Sequence, residues 1–289
     1  MGEKDLSTKN LEAYNDVFAD IFNVLIFHED YIEESLLVDG PTETQYMTET
    51  GNLHTHHRDC MKYYQDTRLA CVTFGIENQT TVDKSMPVRM MSYDCDRYIA
   101  QLKNEEAISP IVSIVLYFGD GHWDKPLSLY DMYPQIPTQI KPYVNDYSIH
   151  VIDIKLIPKE LRSKLKSDFK VIADFFAEKD DKNYTPSNDA IKHPEAVLHM
   201  LKVFTNDNRY DDIEESMLLD IREGKVITMC NFAERMEQKG IQKGRQEGRQ
   251  EGESLLAEAI FALKAGRTIE ELKDAYNDHT LELAQKCLY

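Results

Sequence analysis

Apolar residues recur at three- and four-residue spacing in "NLEAYNDVFADIFNVLIF", through Leu11, Tyr14, Phe18, Ile21, Phe22 and Leu25. That period predicts an amphipathic helix. Asp16 and Asp20 are four apart and therefore share one face of it. Gly40-Pro41 marks a turn in the less regular segment that follows. The pattern then changes. "RDCMKYYQ" is aromatic-rich and "RLACVTFGI" is apolar and β-rich, with Gln65-Asp66-Thr67 as the turn of a hairpin between them. "DKSMPVRMMSYDCDRYIAQLKN" returns to helical spacing, with Val88, Met91, Tyr98 and Leu102 among its apolar positions and Asp83 as the expected N-cap. "PIVSIVLYFG" is a continuous apolar run of strand length, as in a buried strand. "YSIHVIDIKLI" reads as a further strand, partly alternating.

From Pro158 onward the pattern is helical. "KELRSKLKSDFKVIADFFAEK", "PEAVLHMLKVFTN" and "DIEESMLLDIREGKVITMCNFAERMEQKG" are each amphipathic. The tail carries glycines at 240, 244, 248 and 252, and GRQE occurs twice. Lys243 with Glu247 and Arg249 with Glu253 are spaced to support helix, yet each interior glycine costs about 0.8–1 kcal/mol against alanine. Two readings stand: a glycine face for close helix approach, hence a homo-oligomer, or a flexible polar connector. Three regions are expected: 1–158 as an α/β core, 159–238 as a helical extension, and 239–289 as a glycine-repeat helical tail.

The net charge of −18 argues against a protein that coats nucleic acid with its whole surface. The charge is uneven, however. Residues 54–103 hold seven Lys/Arg against six Asp/Glu, whereas residues 174–223 hold six against thirteen. A nucleic-acid face is therefore expected only in the first half. The five cysteines are widely spaced and form no CxxC, so they read as apolar fillers. No run approaches the roughly 18–20 apolar residues of a membrane span. The start shows no secretory signal, and Leu6 breaks the myristoylation pattern begun by Gly2. The expected location is the cytoplasm.

The hairpin carries the candidate chemistry. If its turn centres near residues 67–68, Asp59 comes to lie opposite Glu77. Glu77 and Gln79 share a face, since side chains alternate along a strand. Two carboxylates and an amide at one hairpin end suit Mg²⁺, which takes one or two carboxylates with water and substrate phosphate. Asp16 and Asp20 are candidates for a third acidic group. By spacing alone, a Glu where a strand meets solvent and an Asp opening a strand are the commoner explanations. Asp66 competes with Asp59 but sits in the turn. His54, His56 and His57 read as a solvated loop rather than a metal site. Trp123, Tyr130 and Tyr133 offer rings for base stacking, though such rings more often cover a core.

In order, "YNDVFADI", "HRDCMKYY", "GIENQTTVDKSMPVRMMSYD", "VLYFGDGHWDKPLSLYDMY" and "YSIHVIDI" resemble the Rpn family of recombination-promoting nucleases and transposases, a branch of the PD-(D/E)XK nuclease superfamily. The matches include Tyr117, Gly119, Trp123, Pro126 and Leu129, and the resemblance covers roughly residues 10 to 160. It implies an α/β fold, a restriction-endonuclease-like mixed central sheet flanked by helices and followed by a helical C-terminal part. It also implies a metal-dependent DNA endonuclease linked to recombination, mobile elements or defence, with Mg²⁺ or Mn²⁺ as cofactor. Asp59 and Glu77 would bind the metal, and Asp16 would be the acidic residue of the first helix, with Asp20 behind it. Gln79 stands where the superfamily usually has Lys, and the Rpn pattern also uses Gln there. It orients water but brings no charge, so Arg89 and Lys84 become candidates for phosphate contact. The alternative is a catalytically weak or inactive member acting as a nucleic-acid-binding or oligomeric interaction module.

Overall fold

The computed structural model describes residues 10–47, 53–65, 71–181, 184–207 and 209–288. Side chains of residues 43–47, 53–57, 211 and 212 are outside that description. Two compact units result, one ending at Cys230 and the other beginning at Asn231.

The first unit is built on a five-stranded mixed sheet: β1 (Leu37–Asp39), β4 (Cys60–Tyr64), β5 (Val72–Gln79), β6 (Ile111–Tyr117) and β7 (His150–Asp153), adjacent in that order. β1, β4 and β5 are antiparallel neighbours, and β5, β6 and β7 are parallel ones. β2 (Glu43–Met47) and β3 (Leu53–His57) form a separate hairpin. The expected pairing appears: Cys60 faces Ile76 and Tyr64 faces Val72. The turn itself lies outside the described residues, as does Asp66.

Because the strand period is two, β5 sorts its side chains cleanly. Phe74 and Ile76 point to one face, where Phe74 meets Phe22 of α1 (Asn15–Phe22) with ring centroids 4.9 Å apart. Gly75, Glu77 and Gln79 point to the other face. There α2 (Met86–Lys103) seats Met86 and Met90 on Val115 and Ile149. The sheet is thus flanked by helices on both faces.

Several elements are shorter than their apolar patterns. The first helix is interrupted: Leu11–Ala13 form a single 3₁₀ turn, Tyr14 is extended (φ −75°, ψ 130°), α1 follows, and a π turn spans Asn23–Phe27. At the start of α1, the Asn15 side chain donates to the carbonyls of Glu34 and Leu37. Asp83 does not cap α2 directly. It accepts from the Ser85 amide and hydroxyl in the turn just before it, and α2 starts at Met86. The last strand ends at Asp153, whose side chain accepts from the Lys155 amide and opens a 3₁₀ turn.

α3 (Leu129–Met132) lies in the β6–β7 connection. The segment from Lys159 is two helices, α4 (Lys159–Arg162) and α5 (Phe169–Glu178), rather than one. α6 (Pro194–Thr205) and α7 (Arg209–Arg222) follow. The pattern that continues past α7 is broken at Gly224, whose φ of +73° is open to glycine at little cost. α8 (Met229–Lys264) then runs through all four repeat glycines as helix.

In the second unit, Ala259 packs with Leu272 of α9 (Ile269–Leu272) and with Leu281 and Ala284 of α10 (Asp278–Lys286). All five cysteines are unpaired. Among the described residues no helix is long and apolar enough to cross a membrane.

Candidate metal and phosphate site

The site lies where β4 enters and β5 leaves the antiparallel pair. Glu77 is on β5 and only 2% exposed. Asp59 occupies the bend before β4, one step past the Cys60–Ile76 pair, and therefore stands opposite Glu77. Its Oδ2 accepts from the Asn78 backbone amide at 2.8 Å, which ties the bend to β5. The preceding residue anchors the same bend from beneath. Buried Arg58 donates from Nη2 to Asp94 Oδ1 at 2.8 Å, and Asp94 also accepts from Ser113 Oγ at 2.7 Å and Tyr147 Oη at 2.5 Å. The guanidinium packs against Gly75: a Cβ there would fall 2.1 Å from Arg58 Nη1.

Glu77 Oε1 accepts from Arg89 Nη2 and, at 3.2 Å, from Gln79 Nε2. Its Oε2 is buried without a hydrogen-bond partner. Burial, then the charge of Asp59, pushes the Glu77 carboxyl up to about 7, against the pull of Arg89, Arg58 and the Asp59 backbone amide. The structure thus brings Asp59, Glu77, Gln79 and Arg89 together. Lys84 is exposed in the turn before α2.

Asp16 and Asp20 are held elsewhere. Asp16 accepts from Lys192 Nζ at 2.7 Å and lies 3.1 Å from His193 Nε2. Burial opposes its ionisation, but Lys192 and His193 outweigh this and hold the carboxyl below the usual range. Asp20 accepts from the amides of Lys166 and Ser167 and from the Ser167 hydroxyl, which fixes the loop before α5. Both therefore serve the seam between α1 and the later helices.

The acidic group that does reach Asp59 is Glu12, which the spacing argument passed over. Its 3₁₀ turn is docked on β4, since Cys60 Sγ donates to the Glu12 carbonyl at 3.4 Å and Lys62 Nζ donates to the Ala13 carbonyl at 2.7 Å. The Glu12 carboxylate is 1% exposed, with Oε1 unpartnered. Burial above all, and then Asp59, lifts it to about 7, while the Asn78 amide pulls the other way. The interruption at Tyr14 explains the miss, because a helical count back from Asp16 does not cross an extended residue. The only sequence signal was a glutamate within an otherwise apolar turn.

Glu12 has a pH consequence. Its folded value lies above the 4.5 of a free glutamate, so the native state binds the extra proton. The stability this confers is complete below about 4.5 and is lost as pH rises through about 7. Glu12→Gln should therefore gain on the wild type between pH 5 and 8, by roughly 1–3 kcal/mol at the upper end. Urea unfolding at the two pH values measures this, and an equal difference at both would show that Glu12 is not protonated in the fold.

The donor set suits a hard cation. Two carboxylates from Asp59 and Glu77, one with a buried unsatisfied oxygen, match the share of Mg²⁺ ligands that a protein usually supplies. Among the described residues no three His, Cys, Asp or Glu side chains are grouped as a fuller cage. The side chains of His54, His56 and His57 lie outside the described residues. Trp123 is partly buried against the α2 core and meets Tyr117 edge-on at 5.4 Å, so it covers the core. Tyr130 Oη donates to the Val144 carbonyl at 2.7 Å, and Tyr133 is 41% exposed.

Residues 50–179 match the family model described as "Putative transposase, YhgA-like". No curated protein and no solved structure gives a significant match. The matched span contains Asp59, Glu77, Gln79 and Arg89, whereas Glu12 and Asp16 precede it.

Proposed function

Because residues 50–179 match the family model described as "Putative transposase, YhgA-like", we propose that the chain is a Mg²⁺-dependent DNA endonuclease of PD-(D/E)XK type, serving recombination, mobile elements or defence. The observation that carries this reading is Glu77. It is a buried carboxylate with an unsatisfied oxygen, opposite Asp59 and at the end of a strand. Burying a carboxylate is costly even when one of its oxygens is paired, and such perturbed groups cluster at functional sites.

Asp59 and Glu77 would hold the cation, which when bound activates water and offsets phosphate charge. Gln79, on the Glu77 face, orients the attacking water with its amide. Arg89 contributes the positive charge that Gln79 lacks, and exposed Lys84 supplies a weaker phosphate contact. Glu12, once it ionises above about pH 7, adds negative charge beside Asp59 and strengthens the pull on a cation. Asp16 and Asp20 hold the first helix in place instead.

A second reading, a catalytically weak nucleic-acid-binding or oligomeric module, is favoured by one observation. Arg89 already occupies Glu77. Plasmid cleavage with Mg²⁺ separates the two. The wild type should nick or linearise DNA only with metal, and Asp59→Ala should not. Equal cleavage by both proteins refutes the site, and cleavage by neither favours the module.

A further inference from the structure

We propose that Arg89 is an exchange switch: it caps Glu77 in the metal-free protein, then releases that carboxylate to a cation and turns to a phosphate of the nucleic acid. This rests on the reading of Asp59 and Glu77 as a cation site.

The guanidinium is shared among three groups of different strength. Nη2 donates to Glu77, Nε donates to Tyr93 Oη at 3.0 Å, and Nη1 is a loose 3.5 Å from Asp83 Oδ2. Asp83 is already engaged by the Ser85 amide and hydroxyl. The Arg89 side chain is 33% exposed while that of Glu77 is 2% exposed. One end of the pair therefore faces solvent and the other does not.

This asymmetry makes the pair an exchanger. Glu77 cannot lose Arg89 and remain charged, because that would leave a buried, unpaired anion. Arg89 cannot stay on Oε1 at no cost once a divalent cation shares the carboxylate, because two like charges then meet at one group. Cation and guanidinium thus compete for Glu77. A phosphate gives Arg89 a new anionic partner at its exposed end, with Tyr93 and Asp83 left to steady its flank. Cation and nucleic acid then favour each other's binding, and the coupling is reciprocal.

Salt dependence of duplex DNA binding tests this, since each phosphate contact contributes about 0.9 to the slope of log K against log salt. Fluorescence anisotropy is followed with a short duplex, in EDTA and in Ca²⁺, for wild type, Arg89→Met, Glu77→Gln and the double variant. In EDTA, wild type and Arg89→Met should share one slope. In Ca²⁺ they should differ by about 0.9. Glu77→Gln, which frees Arg89 without metal, should differ from the double variant by about 0.9 even in EDTA. A wild-type difference of the same size in EDTA and Ca²⁺ overturns the switch, because Arg89 would then hold phosphate throughout. No difference in any pair also overturns it. If Ca²⁺ changes nothing while Glu77→Gln still uncovers the Arg89 contact, the exchange at Glu77 stands and the metal reading fails.

Discussion

Glu77→Gln should abolish cleavage and at the same time make the protein more stable at pH 8. The loss of activity follows from removing a cation ligand, and is expected to be on the order of 10²–10³-fold, the scale for one oriented electrostatic group. The gain in stability follows from burial. The Glu77 carboxyl is lifted from 4.5 to about 7 chiefly by desolvation. Holding it ionised at pH 8 therefore costs roughly 3 kcal/mol relative to its protonated form. Gln copies the shape of that neutral form. The sign is that of a raised carboxylate: the wild type is best served below about 4.5 and loses this contribution as pH rises through about 7. The variant should match the wild type near pH 4.5 and exceed it by about 1–3 kcal/mol at pH 8, several degrees in Tm. Calorimetry at the two pH values, beside plasmid cleavage, reads both effects. A Tm at pH 8 below the wild type would mean that the Arg89 pair outweighs burial. Cleavage at the wild-type rate would remove Glu77 from the chemistry.

Arg58→Ala should be among the most damaging substitutions in the first unit. It leaves the Asp94 carboxylate buried, with the Ser113 and Tyr147 hydroxyls to offset its charge. Removing one member of a buried ion pair costs about 3–5 kcal/mol, or roughly 10 °C in Tm. The burial is tight on both sides. Gly75 gives up its side chain to the guanidinium, and the Tyr147 hydroxyl is pushed up by burial and by Asp94. An Arg58→Met/Asp94→Leu double variant should recover part of the loss: it removes the stranded charge, but it also takes the acceptor from the Ser113 and Tyr147 hydroxyls. Chemical denaturation of the single and double variants measures this. A loss under about 1 kcal/mol for Arg58→Ala would show that the network is dispensable. Since Arg58 directly precedes Asp59, the same substitution should also loosen the bend that presents Asp59.

The legible part of the site was its local part. Strand alternation places Glu77 and Gln79 on one face, and the hairpin count sets Asp59 opposite Glu77; the pairing of Cys60 with Ile76 has the register that count requires. The first helix was harder. Its apolar stripe is real, and Leu11, Phe18, Ile21 and Phe22 are all buried. But a stripe reports which residues are covered, not by what. Asp16 and Asp20 lie beside that stripe as expected, yet their partners come from His193, Lys192, Ser167 and Lys166, more than 140 positions later. No spacing rule reaches that distance.

By itself, the sequence determined the alternation of elements, the buried strands β5 and β6, the placing of Asp59 across from Glu77, and the absence of a long apolar span. These follow from periodicity and composition, which are local properties of the chain. Only the tertiary structure decided which further acid comes near Asp59. Glu12 reaches Asp59 because Cys60 and Lys62 dock its turn on β4, while Asp16 is drawn to the seam with His193. It also decided that Glu77 is capped by Arg89 and underlain by Arg58. Burial and charge pairing depend on what folds over a residue from elsewhere in the chain, and that is fixed only when the layers pack.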